Sequence, residues 1–204
     1  MTELDESRLK QEIKGLAKAK QLAFGLLLCE RMIPALDKFS IETNFDSSLY
    51  TYCLDKAWHY LGQREDSYNC GEMAKQCLDR APDTEEFSHP LTSAALNAAL
   101  SIAAMIGFVG DGDITHVVEA ASLACDTAAL YAQSIETTPP GSLSFNEIMK
   151  HPLVQRELGQ QAADLVFLAA LPADVSQRTI QLLKGRATGT PALLPPENGV
   201  TTMT

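Results

Sequence analysis

The chain has 204 residues, of which 46% are hydrophobic and 21% are charged, and its formal net charge is −10. This length and composition fit one globular domain whose core is large enough to need no disulfide or metal. Because the negative charge repels phosphate backbones and anionic lipids, we expect neither a nucleic acid nor a membrane as a partner.

Apolar residues recur at helical spacing along almost every long segment, which predicts an all-α fold. The first predicted helix runs from about Arg8 to Arg31 and is apolar on all sides at 22–29. We therefore expect it to enter the middle of the fold. Pro34 either kinks this helix or starts a short second one, because proline lacks a backbone hydrogen-bond donor.

The next two predicted helices begin at recognisable caps. The stretch "TNFDSS" at 43–48 supplies capping side chains for a helix that carries Trp58. The stretch "NCGE" at 69–72 is an Asn variant of the capping box, and an amphipathic stripe follows it to Ala81. Each of these helices is expected to pack one face against the core.

The segment 87–110 contains no Asp, Glu, Lys or Arg. Its many alanines and its polar side chains make it too weakly hydrophobic to favour membrane insertion, so we predict a central bundle helix at about 91–108. Small polar residues at four-residue spacing favour a tight seam inside the bundle or between subunits, with the lining of a ligand cleft as the alternative. These residues are Thr92, Ser93, Asn97 and Ser101.

The second half of the chain predicts further helices separated by turns. The stretch "GDGD" at 110–113 precedes a long helix that reaches about 136, and "TTPPGS" at 137–142 ends it. Ser144 and Glu147 have the spacing of a capping box, and Pro152 is typical of the first turn of a helix.

A last helix is predicted to start at Pro172 and to end near 184–185. From 187 onward the prolines, the glycines and the near absence of charge predict a tail, on which only Leu193 and Leu194 are suited to docking. We therefore expect a single-domain all-α bundle of about seven to nine helices over 1–186 and a flexible C-terminal tail over 187–204.

Glu30 and Arg31 are adjacent charges at the end of the most apolar stretch. At about 100° per residue, Glu30 falls within about 40° of the stripe formed by Leu16, Ala23 and Leu27, so it should face the core. Neighbouring residues on a helix diverge and do not pair, so each charge needs its own partner. One interpretation is a structural polar network; the other is a pocket in which Glu30 acts as a base, a ligand or a specificity group.

The sequence has no complete metal or cofactor motif. "EFSH" at 86–89 has the Glu-x-x-His spacing of di-iron bundles but occurs once. "HVVE" at 116–119 places His116 near an acid, and a hydrogen bond explains that spacing better than a metal. "DGD" at 111–113 lacks the glutamate that ends a calcium loop. We find no phosphate loop or nucleophile elbow, and expect no metal and no cofactor.

Two classes of function remain. The first is a non-enzymatic interaction protein that self-associates as a homo-oligomer, and the lack of any familiar catalytic arrangement favours it. The second is a pocket protein or enzyme that binds a small molecule between Glu30, Arg31, Trp58 and His116. The identity of a protein or small-molecule partner stays open. The five cysteines have no close spacing, and no leader sequence opens the chain, so we expect reduced thiols and a cytoplasmic protein.

The stretch "LLLCERMIP" at 26–34, followed by "CLDKAWHYL" at 53–61, resembles the paired signature of the YjaG-like proteins, which are bacterial, all-helical and of unknown function. The resemblance continues through 80–87, 113–121 and 151–158. It implies a cytoplasmic all-helical protein without an assigned activity. The family pattern has an acid where this chain has Asn97, which puts any acid-dependent function at that position in doubt.

Overall fold

The computed structural model describes residues 3–63, 69–135, 143–172 and 175–195, with side chains from residue 6 onward. These residues form nine helices and no strand, which confirms the prediction of a single all-α domain. The helices are α1 (Glu3–Lys14), α2 (Lys18–Thr43), α3 (Ser48–Gln63), α4 (Cys70–Asp79), α5 (Thr92–Asp111), α6 (Ile114–Ile135), α7 (Phe145–Lys150), α8 (Pro152–Ala170) and α9 (Gln177–Gly189).

Helices α2 and α5 form the centre of the bundle. Every residue of α2 from 19 to 29 is buried, which confirms the prediction for the apolar run at 22–29 and adds the polar Lys20 and Gln21. Helix α5 packs against α2, α4 and α6 and carries no charge before its last residue, Asp111. In the described parts of the chain it is the one helix that is long and apolar enough to cross a membrane, and most of it is buried inside the bundle. The other helices surround this pair.

The helix predicted from Arg8 to Arg31 is two helices. A break at 15–17 separates α1 from α2, and Ala17 before α2 has an extended backbone. Gly15 at the end of α1 is the local signal for this break, since glycine is the usual residue after a helix C-terminus. Pro34 starts no new helix, because α2 continues through it to Thr43.

Most of the predicted helix caps are present. The Asn69 side chain accepts a hydrogen bond from the Glu72 backbone N–H, and Ser144 and Glu147 form both halves of a capping box. Pro152 lies in the first turn of α8. Gly112 ends α5 with a φ of 69°, a left-handed conformation that glycine adopts without strain.

The C-terminal part lies against the bundle as far as the structure describes it. Helix α9 begins at Gln177, later than predicted, and extends to Gly189. Leu193 is buried, its backbone N–H donates to the Arg31 carbonyl at 2.8 Å, and its own carbonyl accepts from the Tyr131 hydroxyl. Leu194 also packs on the core. Residues 196–204 of the predicted tail, and the predicted break at 137–142, lie outside the described residues, so the mobility of the tail stays a prediction.

Candidate functional site

Arg31 lies in the interior and binds two carboxylates of α8. Its Nη2 and Nε atoms donate to Glu157 at 2.8 and 3.3 Å, and its Nη1 donates to Asp164 at 2.8 Å. All three side chains are at most 2% exposed. Burial alone lowers the pKa of the Arg31 guanidinium, but the charges and hydrogen bonds of Glu157 and Asp164 outweigh this effect and raise it. Arg31 is therefore held as a cation in a closed ion-pair cluster.

The cluster extends to the neighbouring helices. The second carboxylate oxygen of Asp164 accepts a hydrogen bond from Arg186 of α9 at 2.7 Å. Glu157 accepts a further bond from Gln161, whose side-chain amide also donates to the Ala121 carbonyl of α6. Two arginines and two carboxylates balance in formal charge, which offsets part of the cost of removing them from water. The cluster joins α2, α6, α8 and α9, and its contacts are those of a structural network.

Glu30 turns away from this cluster and is only half-buried. Its carboxylate accepts a hydrogen bond from the indole N–H of Trp58 at 2.7 Å. Burial raises the pKa of Glu30, while the Trp58 bond and the charge of Lys184 offset part of that rise. Glu30 was expected to face the core, but its side chain is only partly enclosed and points toward Trp58. Every side of α2 is buried between 19 and 29, so the stripe through Ala23 and Leu27 does not mark which side of the helix is deepest, and Arg31 takes the interior position.

Trp58 lines a cleft with a volume of about 230 Å³ between α3 and α9. The Lys184 ammonium lies 5.5 Å from the centre of the indole ring, a distance that fits a cation–π contact. Asp55, His59 and Gln177 also line this cleft. Of the four predicted site residues, the structure therefore brings together Glu30 and Trp58, and it places Arg31 in the separate cluster with α8.

His116 belongs to neither group and lies in the first turn of α6. Its Nε2 is 3.1 Å from the Asp111 carboxylate. The backbone N–H of Asp113 lowers the pKa of Asp111, and the bond to His116 adds to this effect. Asp111 also lines a cavity of about 350 Å³ beside Lys18 and Tyr60. Within the described residues, no group of three or more His, Cys, Asp or Glu side chains is arranged to hold a metal ion.

The polar stripe on α5 forms an internal seam. The Thr92 hydroxyl donates to the carbonyls of Phe87 and His89 at the start of the helix. The Asn97 amide donates to the Thr127 hydroxyl of α6 at 3.0 Å, and the buried Ser101 hydroxyl is 3.9 Å from the Met32 sulfur of α2. The sequence left open a seam inside the bundle, a seam between subunits or the lining of a ligand cleft. These contacts support the seam inside the bundle.

Sequence reasoning missed Glu157, Gln161 and Asp164. They recur at helical spacing on the same face of α8 as the buried Val154 and Leu168. Three polar residues that continue an apolar stripe indicate a buried polar network. That spacing was the available signal for a buried polar network on α8, although it did not identify Arg31 as the partner.

Residues 8–190 match the DUF416 family, described as a protein of unknown function. The fold is also similar to the crystal structure of a DUF416 family protein from Shewanella baltica OS155. That likeness has a TM-score of 0.77 at 18% sequence identity and covers 88% of this chain and 93% of the other. At this identity the likeness shows the fold alone. None of the curated proteins matches the chain significantly. Because the family match spans nearly the whole chain, this protein belongs to the DUF416 family.

Proposed function

We propose that this DUF416 protein is a YjaG-like bacterial protein that works in the cytoplasm as a non-enzymatic interaction protein and forms a homodimer. The signature around "CERM" and Pro34 supports the YjaG-like assignment. Five free cysteines support a reducing compartment. Arg31 was expected in the ligand pocket, but its guanidinium pairs with two buried carboxylates instead. The predicted pocket therefore lacks its arginine, which favours an interaction protein over an enzyme.

The outer face of α8 is the observation that carries this proposal. Between 159 and 170, every exposed residue of the helix is Gly, Ala or Val, and the Val166 side chain is 72% exposed. The one charged residue in this stretch, Asp164, points inward to Arg31. We call this surface the α8 face; it consists of Gly159, Ala162, Ala163, Val166, Ala169 and Ala170.

Gly159 adds an independent reason to expect a second helix on the α8 face. Apart from the adjoining residues and backbone of α8 itself, a methyl group placed on its Cα would meet no atom within 4 Å. The fold therefore does not require glycine here, although glycine inside a helix costs about 1 kcal/mol relative to alanine. Small side chains let two helices approach closely, since the distance between helix axes depends on the side chains at the contact.

A second copy of this chain is the occupant that fits the α8 face. Two molecules that each carry a net charge of −10 repel one another, and an uncharged face is where they approach at the lowest electrostatic cost. In a twofold dimer each subunit contributes the same face, so an apolar face is complementary to itself. Burial of Val166 and the surrounding alanines against the partner supplies the driving force.

Sedimentation velocity at micromolar concentration tests the homodimer. We expect the wild type to sediment as a dimer and Val166→Glu as a monomer, because the new carboxylates would meet across the twofold axis. Ile41→Glu is the matched control, since Ile41 is 80% exposed at the end of α2 and lies off the α8 face. A wild type that stays monomeric, or a Val166→Glu variant that stays dimeric, would overturn the proposal.

A second candidate function is the binding of a small zwitterion in the cleft beside Trp58. The observation that favours it is that Lys184 and Asp55 line the same cleft with opposite charges, as the two charged groups of a zwitterion require. The half-buried Glu30 carboxylate, which accepts the indole N–H of Trp58, lies beside them. Trp58 is the single tryptophan of the chain, so intrinsic fluorescence reports on this cleft. Titration with a panel of free amino acids should change the fluorescence, and Lys184→Gln should weaken the response. No saturable change with any of them would rule out this candidate.

A further inference from the structure

Cys53 of α3 and Cys77 of α4 lie against one another in the interior. Their sulfur atoms are 3.5 Å apart, and both side chains are fully buried. The two residues are 24 positions apart in the sequence. The sulfurs of a disulfide are about 2.05 Å apart, so the two sulfurs have to approach by about 1.5 Å to reach bonding distance. The sequence alone gave no sign of this pair.

The two thiols are not equivalent. The Cys77 S–H donates its hydrogen to the Cys53 sulfur. This hydrogen bond lowers the pKa of Cys53, and the same bond, together with burial, raises the pKa of Cys77. Cys53 is therefore the sulfur that ionises first, and Cys77 keeps its proton. Since the thiolate is the reactive form of cysteine, the pair has the arrangement of an attacking and a resolving thiol.

Helix α4 controls access to the pair. Cys77 is the one fully buried residue of this ten-residue helix, and its other side chains are half-buried or exposed. The Tyr50 hydroxyl also holds the end of α4, through a hydrogen bond to the Cys77 carbonyl at 3.0 Å. Because α4 fully buries one side chain, its opening has to break mainly its packing on α5, and such a local opening costs less free energy than unfolding the whole molecule. Opening of α4 would expose Cys53 and Cys77 together.

We propose that Cys53 and Cys77 are a reversible oxidation site that forms an intramolecular disulfide when the protein meets a peroxide. The Cys53 thiolate attacks one oxygen of hydrogen peroxide, the O–O bond breaks, and the second oxygen leaves as hydroxide, which gives a sulfenic acid on Cys53. The Cys77 sulfur then attacks the Cys53 sulfur, the S–O bond breaks, and water leaves with the Cys77 proton. Two electrons pass from the thiols to the peroxide, and a small cellular thiol reverses the reaction by exchange.

The disulfide fixes α4 against α3. In the reduced protein α4 is held by non-covalent packing, mostly on α5. The new bond closes the loop between the two cysteines and makes the local opening that admitted the oxidant rarer, without abolishing it. The oxidised protein should therefore unfold at a higher denaturant concentration than the reduced one, and its α4 amides should exchange hydrogen more slowly.

The test treats the purified full-length protein with hydrogen peroxide. The protein is then unfolded in N-ethylmaleimide and its mass is measured. Reduced protein should take up the label on all five cysteines, and oxidised protein should leave two of them unlabelled. Peptide mapping should join Cys53 to Cys77, and treatment with dithiothreitol should restore full labelling. Complete labelling after peroxide, a disulfide between other residues, or a bond between two chains would each overturn the proposal.

Three variants separate the roles of the two sulfurs. In Cys77→Ala, dimedone should trap a sulfenic acid on Cys53, because no resolving thiol is present. In Cys53→Ala, Cys77 should stay unmodified at the same peroxide dose. Cys70→Ala, on the same helix, is the matched control and should still form the disulfide. If the buried alanine variants fail to fold, the peptide map of the wild type decides alone.

Discussion

Replacement of Arg31 by methionine gives the sharpest test of the ion-pair cluster. The change keeps an unbranched side chain, two atoms shorter than that of arginine, and removes three hydrogen bonds to carboxylates, together with a bond to the Leu27 carbonyl. Asp164 keeps Arg186 as a partner, but Glu157 keeps only the neutral Gln161 amide. One fully buried carboxylate is thus left without a cation. Loss of one partner of a buried pair costs about 3–5 kcal/mol, so Arg31→Met should lower the free energy of unfolding by that amount.

A double substitution separates the stranded charge from lost packing. Arg31→Met combined with Glu157→Gln removes both charges of the pair and leaves Asp164 with Arg186. We expect the double variant to be about 1–3 kcal/mol more stable than Arg31→Met alone, because no uncompensated carboxylate remains. A double variant no more stable than the single one would show that the loss comes from packing.

Urea denaturation near neutral pH, followed by far-ultraviolet circular dichroism, measures these differences. Glu30→Gln is the matched control, since it changes a neighbouring charge that lies outside the cluster and should cost less than about 1 kcal/mol. The reasoning would be refuted if Arg31→Met changed the free energy of unfolding by less than about 1 kcal/mol, or by no more than Glu30→Gln.

Burial raises the pKa of Glu30 in the folded protein above its ordinary value near 4.5. The protonated side chain therefore stabilises the folded state fully at a pH below 4.5. This stabilisation is lost as the pH rises through the folded-state pKa. The stability of wild type relative to Glu30→Gln should therefore fall in that window, which a pH series of urea denaturation checks. Leu193→Ala should cost about 2–3 kcal/mol, because the side chain is buried; a negligible change in the denaturation midpoint would contradict its docking. Ser144→Ala should cost about 1 kcal/mol through the lost cap of α7, whereas Ser144→Asp should restore most of it in the same assay.

The helices of this protein were predictable because their signals are local. Asn69, Ser144 and Pro152 cap or begin their helices through residues no more than four positions away. The uncharged composition of α5 likewise predicts a central helix without knowledge of its neighbours. These parts of the fold depend on propensity, spacing and capping, which the sequence states directly.

The candidate site depends on contacts between distant residues, and there the sequence was a poor guide. The partners of Arg31 lie 126 and 133 positions away, and Trp58 lies 28 positions from Glu30. Which of two adjacent charges faces inward depends on the packing of neighbouring helices, because α2 is buried on every side between 19 and 29 and its own pattern marks no deepest side. The contact between Cys53 and Cys77 has the same origin, since it depends on how α4 packs beside α3.

The position of Arg31 in the chain also has a consequence for biosynthesis. Its carboxylate partners on α8 leave the ribosome long after α2 does. Until they arrive, burial of α2 among the earlier helices would enclose an arginine without a counter-charge, which is costly. We therefore expect the nascent chain to leave the core around Arg31 open through the synthesis of α6 and to close it only when α8 is complete. Chains that end before α8 lack this final step, and we expect cellular proteases to remove them.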